Sequence, residues 1–155
     1  MTREEMREEL NIELGLMEGT VKELKALNNE LSQCNPTIRE KTAAAAFLAQ
    51  FYNGVENILK RIVRFYEVSL PKGDTWHIDL FQLFCEPSTH PLPVLFNEEM
   101  TNLLAPYRKF RHVVYHGYGF QLEWERMKPG IEKIEEVFFK FKGIVSSYLK
   151  SLDPQ

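Results

Sequence analysis

The segment RKFRHVVYHGYG, residues 108–119, holds the side chains best suited to chemistry on a phosphate. Arg111 and His116 are separated by four residues, and Tyr118 follows two positions later. Histidine exchanges a proton near neutral pH, so its imidazole serves as base or acid. Arginine keeps its charge and presents a planar fork to phosphate oxygens. Together they make a minimal site that grips a phosphate and moves protons around it. With 8 Arg and 4 His in 155 residues, chance gives this Arg–His spacing about 0.2 times; requiring the Tyr as well lowers that to about 0.01. Arg108, His112 and Tyr115 flank the pair as candidates to support it or to touch a substrate. Plainer readings stand beside these. His116 can be a helix-terminal imidazole facing the dipole, Arg111 a surface residue with a buried stem, and Tyr118 a packing residue with its hydroxyl in water.

The spacing raises a geometric problem. Five residues of regular helix turn through about 500°, which leaves Arg111 and His116 about 140° apart around the axis. Two arrangements reunite them. Gly117 can end the helix early, so that His116 sits in a loosened last turn. Alternatively, a twofold axis brings Arg111 of one chain to the partner's His116, which makes dimerisation a condition of activity.

The surrounding elements are helical. Met6, Leu10, Leu14, Met17, Val21, Leu24, Leu27 and Leu31 recur at steps of three and four, and Asn35-Pro36 stops that helix. Gly15 and Gly19 weaken its middle by about 1 kcal/mol each and favour a bend. A second helix spans about Thr37 to Val68, with an apolar face from Leu48 to Tyr66. Leu70 to Asp74 reads as a turn, and Asp74 or Thr75 caps a short helix through Phe84. Pro87, Pro91 and Pro93 make residues 85–96 an extended connection. Asn97 caps the next helix, whose stripe is Leu103, Tyr107, Phe110 and Val114, with Pro106 as a kink and Gly117 and Gly119 as its end. The last helix covers about Leu122 to Leu152, and Pro129-Gly130 either kinks it or marks its start. No strand alternation competes. The expectation is all-α: an antiparallel four-helix up-and-down bundle with one additional short helix, in one domain over residues 1–155.

Charge and cysteine narrow the partners. Nineteen Lys+Arg against 22 Asp+Glu leave a net charge of -3, which argues against a protein that coats nucleic acid non-specifically. The acidic surplus lies in residues 1–30, while Arg108, Lys109, Arg111 and His112 cluster, as do Lys60, Arg61 and Arg64. Such clusters suit a small anion site, with solvated helix faces as the plainer reading. Glu56, Lys60 and Arg61 are candidates to face the motif across the bundle, with a surface position as the equal alternative. His77, Asp79 and His90 form no constellation and are assigned to structure or surface. Cys34 and Cys85 read as free, reduced thiols, and neither they nor Glu123 and Glu125 have metal-ligand spacing, so no metal or cofactor is expected. No apolar run approaches the roughly 18 residues of a membrane span, and MTREEMREE is charged where a signal peptide needs an apolar stretch. The expectation is a cytoplasmic protein without membrane contact.

Arg111-x4-His116-x-Tyr118, in the penultimate long helix of a small helical bundle, resembles the HEPN superfamily, and most of all its HepT-like ribonuclease toxins. The resemblance implies a homodimer whose Arg and His form a metal-independent endoribonuclease site at the dimer cleft. It implies a separate minimal nucleotidyltransferase (MNT-type) antitoxin, which in some pairs transfers AMP to the motif's tyrosine, here Tyr118. The position after the arginine, often Asn or Asp in that family, is His112 here. The chemistry fits the residues. RNA cleavage by its own 2′-hydroxyl needs a base, an acid for the leaving 5′-oxygen, and positive charge on the phosphate. Arg111 as clamp and His116 as general acid/base supply that set. The alternative is a non-catalytic HEPN partner that docks a nucleotidyltransferase or binds a nucleotide. The chain has no nucleotidyltransferase motif of its own.

Overall fold

Helix starts are written into the sequence as reciprocal caps. The Thr2 hydroxyl accepts from the Glu5 N–H at 3.1 Å while the Glu5 carboxylate accepts from the Thr2 N–H at 2.7 Å; Thr37 and Glu40 repeat the device at 3.1 and 3.0 Å. They open α1 (Arg3–Glu30) and α2 (Ile38–Phe65). The computed structural model describes residues 1–31 and 35–154, so the expected thiol of Cys34 lies outside the described residues. After α2 come the short α3 (Trp76–Gln82), then α4 (Glu98–His116) and α5 (Trp124–Ser151), with a single 3-10 turn at Gly119–Gln121 between the last two. Asn97 caps α4 as expected, its side chain accepting from the Met100 N–H at 2.9 Å.

The four long helices pack in a closed ring, α1 on α2, α2 on α4, α4 on α5 and α5 on α1. Their inward stripes meet in one core that includes Leu10, Leu48, Phe51, Ile58, Tyr107, Phe138 and Phe141. Phe51 meets the edges of Tyr107 at 5.0 Å and Phe138 at 6.4 Å, which ties α2, α4 and α5 together. The Tyr107 hydroxyl is buried with them and donates to the Gly130 carbonyl at 2.7 Å. The expected all-helical bundle with one short extra helix is the observed architecture.

The structure settles or corrects several local expectations. α5 begins at Trp124, so Pro129 lies inside the helix and does not start it. Neither Asp74 nor Thr75 caps α3 with a side chain; the Thr75 hydroxyl goes instead to the Asp79 carboxylate at 3.0 Å. The proline-rich stretch is not helical, and it clamps the end of α3: the Leu95 and Phe96 N–H groups both donate to the Phe84 carbonyl, at 2.8 and 3.1 Å. Phe96 is buried and stacks on Phe81 at 4.4 Å, so α3 is held against the bundle at both its backbone and its apolar face.

The stripe of α4 runs out early. Met100, Leu104 and Tyr107 are its buried residues; from Arg108 to His116 none is buried, and Phe110 and Val114 are only partly so. Arg111 and His116 therefore sit on the stretch of α4 that has no buried residue, and Tyr118 lies just beyond its end.

Candidate functional site at the C-terminal end of alpha4

Arg111 points toward α2 and α3, into a polar node set inside an otherwise apolar interface. Glu56 lies on the core-facing stripe of α2 between Val55 and Ile58, and is 2% exposed. A carboxylate in that position needs partners. Its Oε1 forms an ion pair with Arg111 Nε at 3.0 Å, and its Oε2 pairs with His77 Nδ1. Arg111 Nε also donates to Asn53 Oδ1 at 2.6 Å, and Nη1 meets His77 Nε2 at 3.2 Å. One tautomer satisfies all of this: His77 donates from Nδ1 to Glu56 and accepts at Nε2 from Arg111. Asn53 passes the network on, donating from Nδ2 to the Tyr115 hydroxyl at 2.9 Å.

Aromatic rings frame the guanidinium. Its carbon lies 4.7 Å from the Tyr115 ring centroid and 5.8 Å from that of Trp76. Trp76 also contacts the His77 ring at 3.4 Å and carries Lys60 Nζ 4.4 Å above its own centroid. The Arg111 side chain keeps 20% of its exposure, and its Nη2 makes no hydrogen bond among the described residues. The node thus leaves Nη2 unused. Arg108, one turn earlier, acts on Tyr52 beneath the node. Burial pushes the Tyr52 phenol up to about 12, the charge of Glu56 adds to the shift, and Arg108 and Arg111 oppose it.

His116 faces elsewhere. α4 stays helical through His116, so the loosened last turn is not formed, and the 140° separation from Arg111 stands. His116 shares its face with His112, one turn back, and the two rings are 4.5 Å apart, both exposed. Gly117 then ends the helix with an extended backbone and not a left-handed one. Its small size matters for another reason: a Cβ there would stand 2.9 Å from the Val113 carbonyl oxygen. The chain can thus turn tightly into Tyr118, which is 70% exposed and donates its N–H to Gln121 Oε1 at 3.2 Å.

The sequence-predicted residues thus divide into two faces within one chain. Arg111 and Tyr115 lie toward α2 and α3, with Arg108 beside them; His112 and His116 lie together toward solvent, and Tyr118 beyond the helix end. Of the three candidates on α2, Glu56 pairs with Arg111 and Lys60 reaches the node through Trp76. Arg61 does not, being held by Glu9 at 3.2 Å and Glu13 at 3.3 Å of α1. His77 was assigned to structure or surface, and it is instead a partner of Arg111. Asn53 was not singled out at all. A carboxylate among the apolar positions of α2 is a signal for Glu56; His77 offers none, because its proximity depends on how α3 docks. Among the described residues no group of three His, Cys, Asp or Glu is placed to hold a metal ion.

A family model described as HepT-like protein matches residues 43–152, more than two thirds of the chain and the whole of the node and motif. No curated protein and no solved structure matches.

Proposed function

The chain belongs to the HepT-like family, and from that premise we propose that it is a homodimeric endoribonuclease, the toxin of a toxin–antitoxin pair, with Arg111 and His116 as its catalytic residues. One observation supports this above others: Arg111 and His116 occupy the turns of α4 without a buried residue, with the guanidinium and the imidazoles on different faces. A second chain laid against those turns completes a site that neither chain has alone. Val113 at 49% and Tyr115 at 58% exposure supply apolar surface for that contact.

The reaction follows from the groups. A base takes the proton from a ribose 2′-hydroxyl, and the oxygen attacks the adjacent phosphorus. The bond from phosphorus to the 5′-oxygen breaks, and that oxygen takes a proton from an acid, leaving a 2′,3′-cyclic phosphate and a 5′-hydroxyl. His116, with His112 beside it, serves the proton transfers. Arg111, fixed by Glu56 and Asn53, stabilises the charge that builds on the phosphate through Nη2, which the node leaves unused. Arg108 and Tyr115 contact the RNA next to it. A separate MNT-type nucleotidyltransferase is the proposed antitoxin, and the exposed Tyr118 is the hydroxyl it would adenylylate.

A second reading, a silent HEPN partner that only docks such a chain or binds a nucleotide, draws support from Arg111 itself, whose charge is already matched by Glu56. Expression of the wild type, Arg111→Ala and His116→Ala decides between them. The enzyme reading expects growth arrest and RNA degradation by the wild type, and loss of both by at least a hundredfold in each variant. Cleavage that survives His116→Ala unchanged ends it.

A further inference from the structure

Arg111 works as a clamp only if its fork is aimed, and the residue that aims it lies outside the motif. We infer that His77 is the positioning residue of Arg111: its imidazole joins the buried Glu56 to the guanidinium, holding Arg111 in one orientation while neutral and releasing Nη1 when protonated. The inference rests on the reading of Arg111 as a phosphate clamp and extends it to control of that clamp.

Three observations support it. The imidazole has a partner at each nitrogen, Glu56 at Nδ1 and Arg111 Nη1 at Nε2. The ring cannot turn freely, because Trp76 lies against it and α3 is fastened through Phe84 and Phe96. Finally, the Nε2 contact exists in one protonation state only. Arginine has no acceptor, so Nε2 must offer its lone pair; a proton there sets two donors and two positive charges against each other at 3.2 Å. The charged groups around the ring are Glu56 and Lys60 from α2, Arg111 and Arg108 from α4, and Asp79 on α3 itself, which is turned to Thr75. Of these only Glu56 and Arg111 touch the imidazole. A protonated His77 therefore keeps its bond to Glu56 and loses Arg111 Nη1, so the guanidinium is held at Nε alone, by Asn53 and Glu56, and its Nη groups lose their fixed orientation.

Glutamine tests this, because its amide can donate to Glu56 and its carbonyl can accept from Arg111 at every pH, whereas alanine does neither. Nitrogen-15 NMR on the full chain reads the Arg111 Nη1 protons and the His77 ring in wild type, His77→Ala and His77→Gln, and an RNA-cleavage pH profile is recorded on the same samples. The wild type should show a proton on His77 Nδ1 at neutral pH. Its Arg111 Nη1 protons should be slow to exchange and should be lost on acidification with the same midpoint as the imidazole, while Nε–H, held by Asn53 and Glu56, persists. His77→Ala should lose the Nη1 signal at all pH values and lower kcat/KM on the order of tenfold. His77→Gln should keep the signal, abolish its pH dependence, and restore kcat/KM to within about twofold, with the acid limb of the profile removed. An Arg111 Nη1 signal that is the same in His77→Ala as in the wild type overturns the inference, as does identical behaviour of the two variants. If the NMR signature follows His77 while wild-type protein cuts no RNA, the ribonuclease reading fails and the coupling stands.

Discussion

Arg111 and His116 were legible in the sequence because they lie close together on one helix and their residue types suit one chemistry. The groups that set the state of Arg111 were not, because Glu56, Asn53 and His77 reach it from two other elements. Glu56 was legible in part. A carboxylate flanked by Val55, Ile58 and Leu59 contradicts the apolar stripe around it, and such a conflict calls for a charged partner. The energetics follow from the same burial. Removing Glu56 leaves the Arg111 guanidinium partly buried without its carboxylate, and breaking a buried pair costs about 3–5 kcal/mol. Arg111 keeps 20% of its exposure and can turn to water, so Glu56→Leu is expected at the low end, near 3 kcal/mol. Exchanging both partners, Glu56→Leu with Arg111→Met, should recover most of that loss, since no orphaned charge remains. Urea denaturation of the two single variants and the double measures the coupling, and a double variant as unstable as the sum of the singles would refute it. The sign of the Tyr52 shift gives a second reading of the same pair. Its phenol is held at about 12, above its ordinary 10, so the stability it contributes is complete below pH 10 and declines as pH rises from there toward 12. Removing the Glu56 charge narrows that window, and tyrosinate absorbance in an alkaline titration should rise earlier in Glu56→Leu.

The helices themselves were read closely, because a 3.6-residue apolar period over long stretches has few competing explanations. What periodicity does not report is how far a stripe is covered. Phe110 and Val114 continue the stripe of α4 in sequence and pack against the core, yet they are only partly buried. Of the two readings of Pro129, a helix start and a place inside the helix, the structure has the second. A proline removes one helical hydrogen bond, but a helix fixed by packing on both sides of it continues, as α5 does through Pro129. Glycines separate the two contributions, propensity and packing. In α5 a Cβ at Gly143 would meet nothing within 4 Å, whereas one at Gly130 would stand 2.7 Å from Cε2 of Phe110 on α4. Gly143→Ala is therefore expected to stabilise by about 1 kcal/mol through helix propensity alone. Gly130→Ala gains the same term and loses about 1–3 kcal/mol to overpacking, so it should destabilise by about 1 kcal/mol and displace the motif helix. Thermal melts of the two variants must move in opposite directions; a shared direction would mean that α4 does not rest on Gly130 as described.

At the level of the molecule, the acidic surplus of α1 is spent along the flanks of the bundle. Glu9 and Glu13 hold Arg61 of α2, and Glu18 lies 3.9 Å from Lys142 of α5, while Lys25 binds Glu135 at 2.7 Å. Apart from the one to buried Glu13, these pairs are exposed, contribute little stability and mainly fix how the helices face one another. They leave the cationic groups of α4 on the opposite side of the ring from α1, beside the uncovered motif. No helix among the described residues is long and apolar enough to cross a membrane. If the motif is completed by a second copy, the two functional groups come from different chains, and that can be tested without knowing the dimer's geometry. Arg111→Ala and His116→Ala chains carrying different tags are co-expressed, and the heterodimer is isolated through both tags. Of its two composite sites, one joins the intact Arg111 to the intact His116 and the other has lost both. The heterodimer should therefore cut RNA at about half the wild-type rate, although each homodimer is inactive. A site built within one chain predicts no recovery, since each chain then lacks one of its own groups. Sedimentation should also show the wild type as a dimer, and Val113→Glu, which puts a charge on the exposed apolar surface of the motif helix, should give an inactive monomer. A heterodimer as silent as its parents would overturn the shared site and leave Arg111 and His116 acting within one chain.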